Sequence, residues 1–189
     1  VEIELATSRG GKVLGVMSFV GLGQTRFGSD GTTAWEHSFE PDQSPNYTII
    51  DQATLSQKVK QINWLEWFTT LPTHLEHMEY GGVAEFDGEQ CLQLKIKTNA
   101  LRTELAFFSK ETHRPKGRRT VEETPNGDAV VDVYFRDWKR VDKLLLFHTV
   151  IFSRDGKQVT MILDQIEVDQ VDDSLFELPS QVKKLRDQQ

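Results

Sequence analysis

Short stretches in which every second residue is apolar recur along the chain. In "VEIELAT" Val1, Ile3 and Leu5 alternate with Glu2 and Glu4; in "CLQLKIK" Leu92, Leu94 and Ile96 alternate with Gln93, Lys95 and Lys97. A period of two gives a strand one dry and one wet face, as in an antiparallel sheet covered on one side. Between such stretches stand Asp30-Gly31, Asp87-Gly88, Asn126-Gly127 and Asp155-Gly156. These dipeptides accept the positive φ of tight primed turns, so the pattern predicts hairpins in series, a meander. "AVVDVYFRDW", "KLLLFHTVIFS" and "QVTMILDQIEV" are richer in β-branched and aromatic residues, which places them nearer the middle of the sheet.

From Thr54 to Phe68 the period changes. Leu55, Val59, Ile62, Leu65 and Phe68 recur at steps of three and four, the spacing of a helix whose stripe faces the sheet. Thr54 followed by Gln57 fits a capping box, and Pro72 marks the stop. Trp64 and Trp67 flank the stripe and widen it toward the C-terminal end, so "INWLEWFTTLP" cannot be surrounded by water. Plain core is the simplest role for Trp64, Trp67 and Phe68, since apolar stripes at helical spacing normally face a core. The chain reads as a single domain over 1–179, followed by a charged tail, 180–189, expected to fray.

Composition narrows the field. With 189 residues, 38% hydrophobic and 10% aromatic, the chain is long enough for one substantial core. A net charge of -7 gives no overall field for nucleic acid or an anionic membrane surface, and no nucleic-acid partner is expected. No run approaches the length of a membrane-spanning helix. No basic-then-apolar leader is present, but the chain begins at Val1 rather than at a methionine, so that absence decides nothing about destination. The single cysteine, Cys91, forms no internal disulfide and reads as a small buried apolar residue.

Motifs for chemistry are mostly missing. "GLGQTRFG" fails as a dinucleotide loop because Arg26 stands where the third glycine belongs. There is no phosphate loop, no Gly-x-Ser-x-Gly elbow and no pair of CxxC motifs. "THLEHMEY" holds His74, Glu76, His77 and Glu79, but at neither zinc-protease spacing; a solvated start of a strand is the stronger reading, and no metal or other cofactor is expected. "SKETHRPKGRR" offers Arg114, Lys116, Arg118 and Arg119 as candidate contacts for an anionic headgroup or partner, against the plainer reading of a charged, solvated hairpin edge.

A family resemblance rests on an ordered set of segments. "FGSDGTTAWE", with Gly28, Asp30, Gly31 and Trp35, resembles the turn-and-strand signature of the outer-membrane lipoprotein-sorting proteins, the LolA/LolB-like group. "MEYGGVAEFDGEQCLQLKIKT" resembles that family's glycine-containing strand pair, and "LAFFSKETHRPKGRR" its strand with a polar turn. "VDVYFRDWKRVDKLLLFHTVIF" resembles its long hairpin, and Asp173, Phe176 and Pro179 its closing Asp-x-x-Phe-x-x-Pro. The likeness runs from about Lys12 to Pro179. It departs where Leu145 to Phe147 replace the usual proline before the last long strand, and the segment ahead of Lys12 is shorter than in complete family members.

The resemblance implies a mainly β fold with helix: a single curved antiparallel sheet, an incomplete half-barrel, with a helix or helices over its concave face and an apolar cavity for acyl chains. Trp64, Leu65, Trp67, Phe68 and Trp35 are then expected as cavity wall. The implied function is a non-enzymatic carrier or receptor for a lipid or a lipidated protein, periplasmic or otherwise extracytoplasmic in a bacterium. A cell-envelope sensor or interaction domain binding a protein partner is the alternative. An enzyme on the same fold ranks third, because the sequence offers no convergent polar cluster.

Overall fold

Five antiparallel strands open the chain: β1 (Glu2–Ser8), β2 (Lys12–Phe19), β3 (Gly23–Asp30), β4 (Ala34–Phe39) and β5 (Pro45–Ile50), hydrogen-bonded in chain order. The computed structural model describes residues 1–21, 23–39, 45–65, 77–97, 103–124 and 127–188. Helix α1 (Gln52–Ile62) follows β5. Seven further strands form a second antiparallel meander: β6 (Met78–Phe86), β7 (Glu89–Lys97), β8 (Thr103–Ser109), β9 (Pro115–Thr124), β10 (Gly127–Val141), β11 (Leu144–Arg154) and β12 (Lys157–Ile162). A 3-10 turn (Asp173–Phe176) and helix α2 (Ser180–Arg186) end the chain. The expected meander is thus present as two hydrogen-bonded sheets, neither closed into a barrel. The chain forms two compact units, Val1–Glu66 with Asp169–Gln189, and Trp67–Val168.

In the first unit the sheet is covered on both sides. Register puts Val13, Ser29, Ala34 and Ile50 on one face and Leu14, Gly28, Trp35 and Ile49 on the other. The first face, with Phe27 and Leu5, packs against Leu55, Val59 and Ile62 of α1. Trp35, only 4% exposed, packs on the opposite face against Leu178 and the fully buried Val182 of α2. Residues 180–186, expected in a fraying tail, are therefore helical, and Val182 is the anchor that a reading of their charge overlooks. Close approach of rings to backbone needs glycine here. A Cβ on Gly15 would lie 2.3 Å from the Phe27 ring, and one on Gly28 would lie 3.0 Å from Trp35.

Helix α1 starts earlier than its capping-box reading. Asp51 is the N-cap, its carboxylate accepting from the Thr54 amide at 2.7 Å. Hydrogen bonding to Thr54 holds the Asp51 carboxyl below its ordinary range. The helix ends at Ile62 because Asn63 leaves the helical region (ψ 79°), so Trp64 and Leu65 form a turn instead of its last turn. Trp67 and Phe68 lie outside the described residues.

The second sheet curves strongly. Phe86, at the end of edge strand β6, stacks on Phe107 of β8 (centroids 4.1 Å) and on Tyr134 of β10 (5.1 Å), and Asp87 meets Arg136 at 2.6 Å. In a flat sheet β6 and β10 would be roughly 19 Å apart, four steps of about 4.8 Å. The end of the β6–β7 hairpin must curl across β8 to β10, and Gly117 lets it: a Cβ there would meet the Val133 carbonyl at 2.0 Å and Phe86 at 2.7 Å.

Two placements differ from expectation. β10 and β11 are interior strands as their composition implies, but β12 is an edge, with Val159 66% and Ile162 64% exposed. The basic stretch 109–119, read as a charged, solvated hairpin edge, leads into the central strand β9, whose Lys116, Arg118 and Arg119 each meet a carboxylate nearby. Asp87-Gly88 and Asp155-Gly156 make the expected positive-φ turns, and Asp30 accepts from the amides of Thr32 and Thr33. Asn126 lies outside the described residues.

Two stability predictions follow from this packing. Leu55→Ala should cost about 2–5 kcal/mol, the usual range for emptying a buried leucine site. Gly117→Ala should cost about 1–3 kcal/mol through overpacking against Val133 and Phe86. Urea melts of both variants check this.

Candidate functional site

Along α1, Leu55 and Val59 point their stripe toward the sheet, while Gln52, Ser56 and Asn63 sit at the rim of the same seam. Opposite them stand Thr7 and Ser8 at the end of β1, then Gly11, Lys12 and Val13. Between helix and strands runs a groove of about 340 Å³, near the lower end of ligand-pocket sizes. The ion pair of Lys58 with Glu36 (2.7 Å) ties α1 to β4. Lys12, the charged residue in the lining, is held by Asp173 at 2.8 Å. The lining thus offers three apolar side chains with hydroxyls and amides around them, and no carboxylate, imidazole or thiol among the described residues. It can grip a narrow apolar group with polar flanks; it has no acid–base pair with which to move a proton.

The expected wall residues are only partly brought together. Trp64 and Leu65 directly follow the rim residue Asn63 and are half-buried. Trp35 is on the sheet face away from α1. Val13 carried no sequence signal: Val13 and Leu14 are both apolar because this sheet is covered on both faces, and adjacent apolar residues hide the alternation that would have marked one side.

Three of the four candidate anion contacts, Lys116, Arg118 and Arg119, pair with carboxylates of the sheet. Lys116 pairs with Glu89 at 2.9 Å, and hydrogen bonds from Ser109 and Lys116 hold the Glu89 carboxyl below its ordinary range. Arg118 and Arg119 point to opposite faces of β9. Arg118, opposite Ala106 and Val133, reaches Glu104 at 3.1 Å. Arg119 binds Asp132 through two hydrogen bonds (2.6 and 2.8 Å) and lies 6.0 Å from the Phe86 ring centre. Arg114 is exposed in the β8–β9 turn. Of the histidine-rich stretch, His74 and Glu76 lie outside the described residues, His77 is exposed, and Glu79 pairs with Lys97 at 3.1 Å. His37 lies against Tyr47 (4.6 Å), with burial first and the Arg26 charge second holding its pKa down.

No family model and no curated protein matches the chain. Solved structures do. A LolA superfamily protein from Nitrosomonas europaea superposes with a TM-score of 0.56 at 9% identity, covering 93% of this chain and 80% of that one. A DUF1329 family protein from Desulfovibrio piger superposes with a TM-score of 0.55 at 12% identity, covering 93% and 79%. At these identities the likeness is one of fold: the chain has a LolA-like fold, mostly β, with two open antiparallel sheets. The likeness read from the ordered segments is found again in three dimensions. No helix among the described residues is long and apolar enough to cross a membrane.

The ion pair at the centre of the second sheet can be tested. Glu104 is 7% exposed, so Glu104→Gln leaves the Arg118 charge beside Ala106 and Val133 with its carboxylate gone. Breaking a buried pair costs about 3–5 kcal/mol and a surface pair at most about 1, so this partly buried one should cost on the order of 2 kcal/mol. A double-mutant cycle with Arg118→Met measures the coupling; zero coupling would show that the pair does not stabilise β8 against β9.

Proposed function

We propose that this chain is a non-enzymatic, extracytoplasmic carrier or receptor that binds an acyl chain, of a lipid or of a lipidated protein. The observation that carries the reading is the groove between α1 and the first sheet, with Val13, Leu55 and Val59 in its lining. The shared fold with a LolA superfamily protein supports it by analogy. Burial of each CH2 is worth about 0.8 kcal/mol, so a chain can be held without a polar anchor and with tolerance for its headgroup. Trp64 and Leu65, next to Asn63, are the proposed further wall. A periplasmic location fits this role.

A second reading has one observation in its favour. Six of the ten lining residues are Thr7, Ser8, Lys12, Gln52, Ser56 and Asn63, which suits a peptide of a partner protein as well as an alkyl chain. In that reading the chain is an envelope sensor or interaction domain.

Native mass spectrometry of protein taken directly from cells should show a bound apolar molecule. Uncharged monoacylglycerols of increasing length, titrated into the purified chain, should shift tryptophan fluorescence and bind about fourfold more tightly per added CH2 until the groove is filled. Val59→Arg, at a half-buried position on the groove, should weaken binding by about tenfold or more. Affinity independent of chain length, or equal binding by a folded Val59→Arg variant, would replace the carrier with the interaction-domain reading.

A further inference from the structure

The strands at the margins of the two sheets are β1, β5, β6 and β12. An unpaired edge is a template for another strand, and proteins blunt it with charges, proline or a bulge. Three of these edges carry such a device: β1 has Glu2 and Glu4, β5 opens on Pro45, and β6 is bulged between Tyr80 and Gly82. In β12 the register with β11 runs unbroken from Lys157 to Ile162, and "QVTMI", Gln158 to Ile162, holds neither a charge nor a proline. Val159 is 66% exposed on one face and Ile162 64% on the other, so this edge is apolar on both sides.

The hydrogen bonds of β12 are one-sided as well. Arg154 faces Lys157 across a two-residue turn, and the Leu163 amide donates to the His148 carbonyl at 2.8 Å, continuing the same ladder one residue beyond the strand. Backbone groups of successive residues point to alternate sides. Those of Val159, Met161 and Leu163 therefore turn toward β11. Those of Gln158, Thr160 and Ile162 turn outward, where no strand lies among the described residues.

From this geometry we infer that β12 pairs antiparallel with β12 of a second copy of this chain, about a two-fold axis at Met161. Such an axis stands normal to the sheet and keeps each side chain on its own face, so residues that meet have numbers of the same parity. Centred on Met161, the pairing sets Thr160 against Ile162, Val159 against Leu163 and Gln158 against Asp164 of the second copy. Apolar side chains meet on the face of Val159, an amide meets a carboxylate on the other, and no like charges are opposed. The two Lys157 residues lie roughly 26 Å apart along the strands, eight residues at about 3.3 Å each. Centred one residue earlier, the pairing would set Gln158 against Ile162 and Lys157 against Leu163. This self-complementarity in one register favours a second copy over an unrelated extended peptide. The pairing lies within the second unit and uses none of the residues of the α1 groove, so it stands or falls apart from the proposed function.

A single added strand buries less than a standard interface of about 1,600 Å², so sedimentation equilibrium of the full chain from about 10 μM to 1 mM should show a reversible monomer–dimer equilibrium. Thr160→Pro removes an outward N–H and no bond to β11; it should weaken dimerisation by about tenfold or more and leave the urea midpoint of the monomer unchanged. Ile162→Lys, at an exposed position, should weaken it likewise. Under mild oxidation Met161→Cys should link two copies, because facing residues of a pair without mutual hydrogen bonds lie about 4.5 Å apart at Cα. Thr160→Cys should link far less. The inference is overturned if the chain stays monomeric at the highest concentration, if a folded Thr160→Pro or Ile162→Lys variant associates as strongly as the parent, or if Thr160→Cys links as readily as Met161→Cys. A monomer whose β12 amides shift on addition of a synthetic peptide of alternating valine and threonine would also overturn it, and would give this edge to a foreign strand.

Discussion

An aromatic ring resting on a cross-strand glycine is the contact on which the packing of this chain depends. In β3 the adjacent residues Phe27 and Gly28 use it on both faces at once: Phe27 lies over Gly15, and Gly28 lies under Trp35. Because neighbours in a strand point to opposite sides, one dipeptide seats a ring toward α1 and opens space for a ring toward α2. A side chain on either glycine would lift its ring into the space that the helices fill. The second sheet repeats the contact with Phe86 over Gly117, and there it permits curvature. Glycine weakens a strand on its own, and the ring that covers it restores the lost burial.

The charges of β9 have the same structural purpose. A strand reading Pro-Lys-Gly-Arg-Arg-Thr belongs at an edge if its cations must be solvated. It can occupy the middle of seven strands because Glu104 on one face and Asp132 on the other lie within hydrogen-bond reach of Arg118 and Arg119. Arg119 further covers Phe86, so its guanidinium closes the aromatic stack from above. The sheet is thus held by ion pairs between neighbouring strands as well as by its ladder.

The surface proposed for ligand binding mixes apolar side chains with polar ones and has no carboxylate, imidazole or thiol among the described residues. The α1 groove combines valines and a leucine with hydroxyls and amides. That mixture suits the proposed recognition by burial, in which size and chain length matter more than the identity of a reacting group.

Local pattern was enough for everything set by nearest neighbours. The alternation of "CLQLKIK", the Asp87-Gly88 and Asp155-Gly156 turns and the three-and-four spacing of Leu55, Val59 and Ile62 each report on a few consecutive residues, and strand, turns and helix form there. Even the order of segments was sufficient to suggest the fold. Tertiary structure decided what depends on residues far apart in the chain. The burial of Val182 requires Trp35, nearly 150 positions earlier, and the central place of β9 requires Glu104 and Asp132 on its two neighbours. The cap of α1 shows the boundary between the two: Asp51 and Thr54 compete within one turn, and only backbone geometry selects Asp51. Likewise Arg154 and Lys157 are just two charges flanking a turn until the register of β11 and β12 sets them face to face, because a hairpin's pairing determines which residues become neighbours.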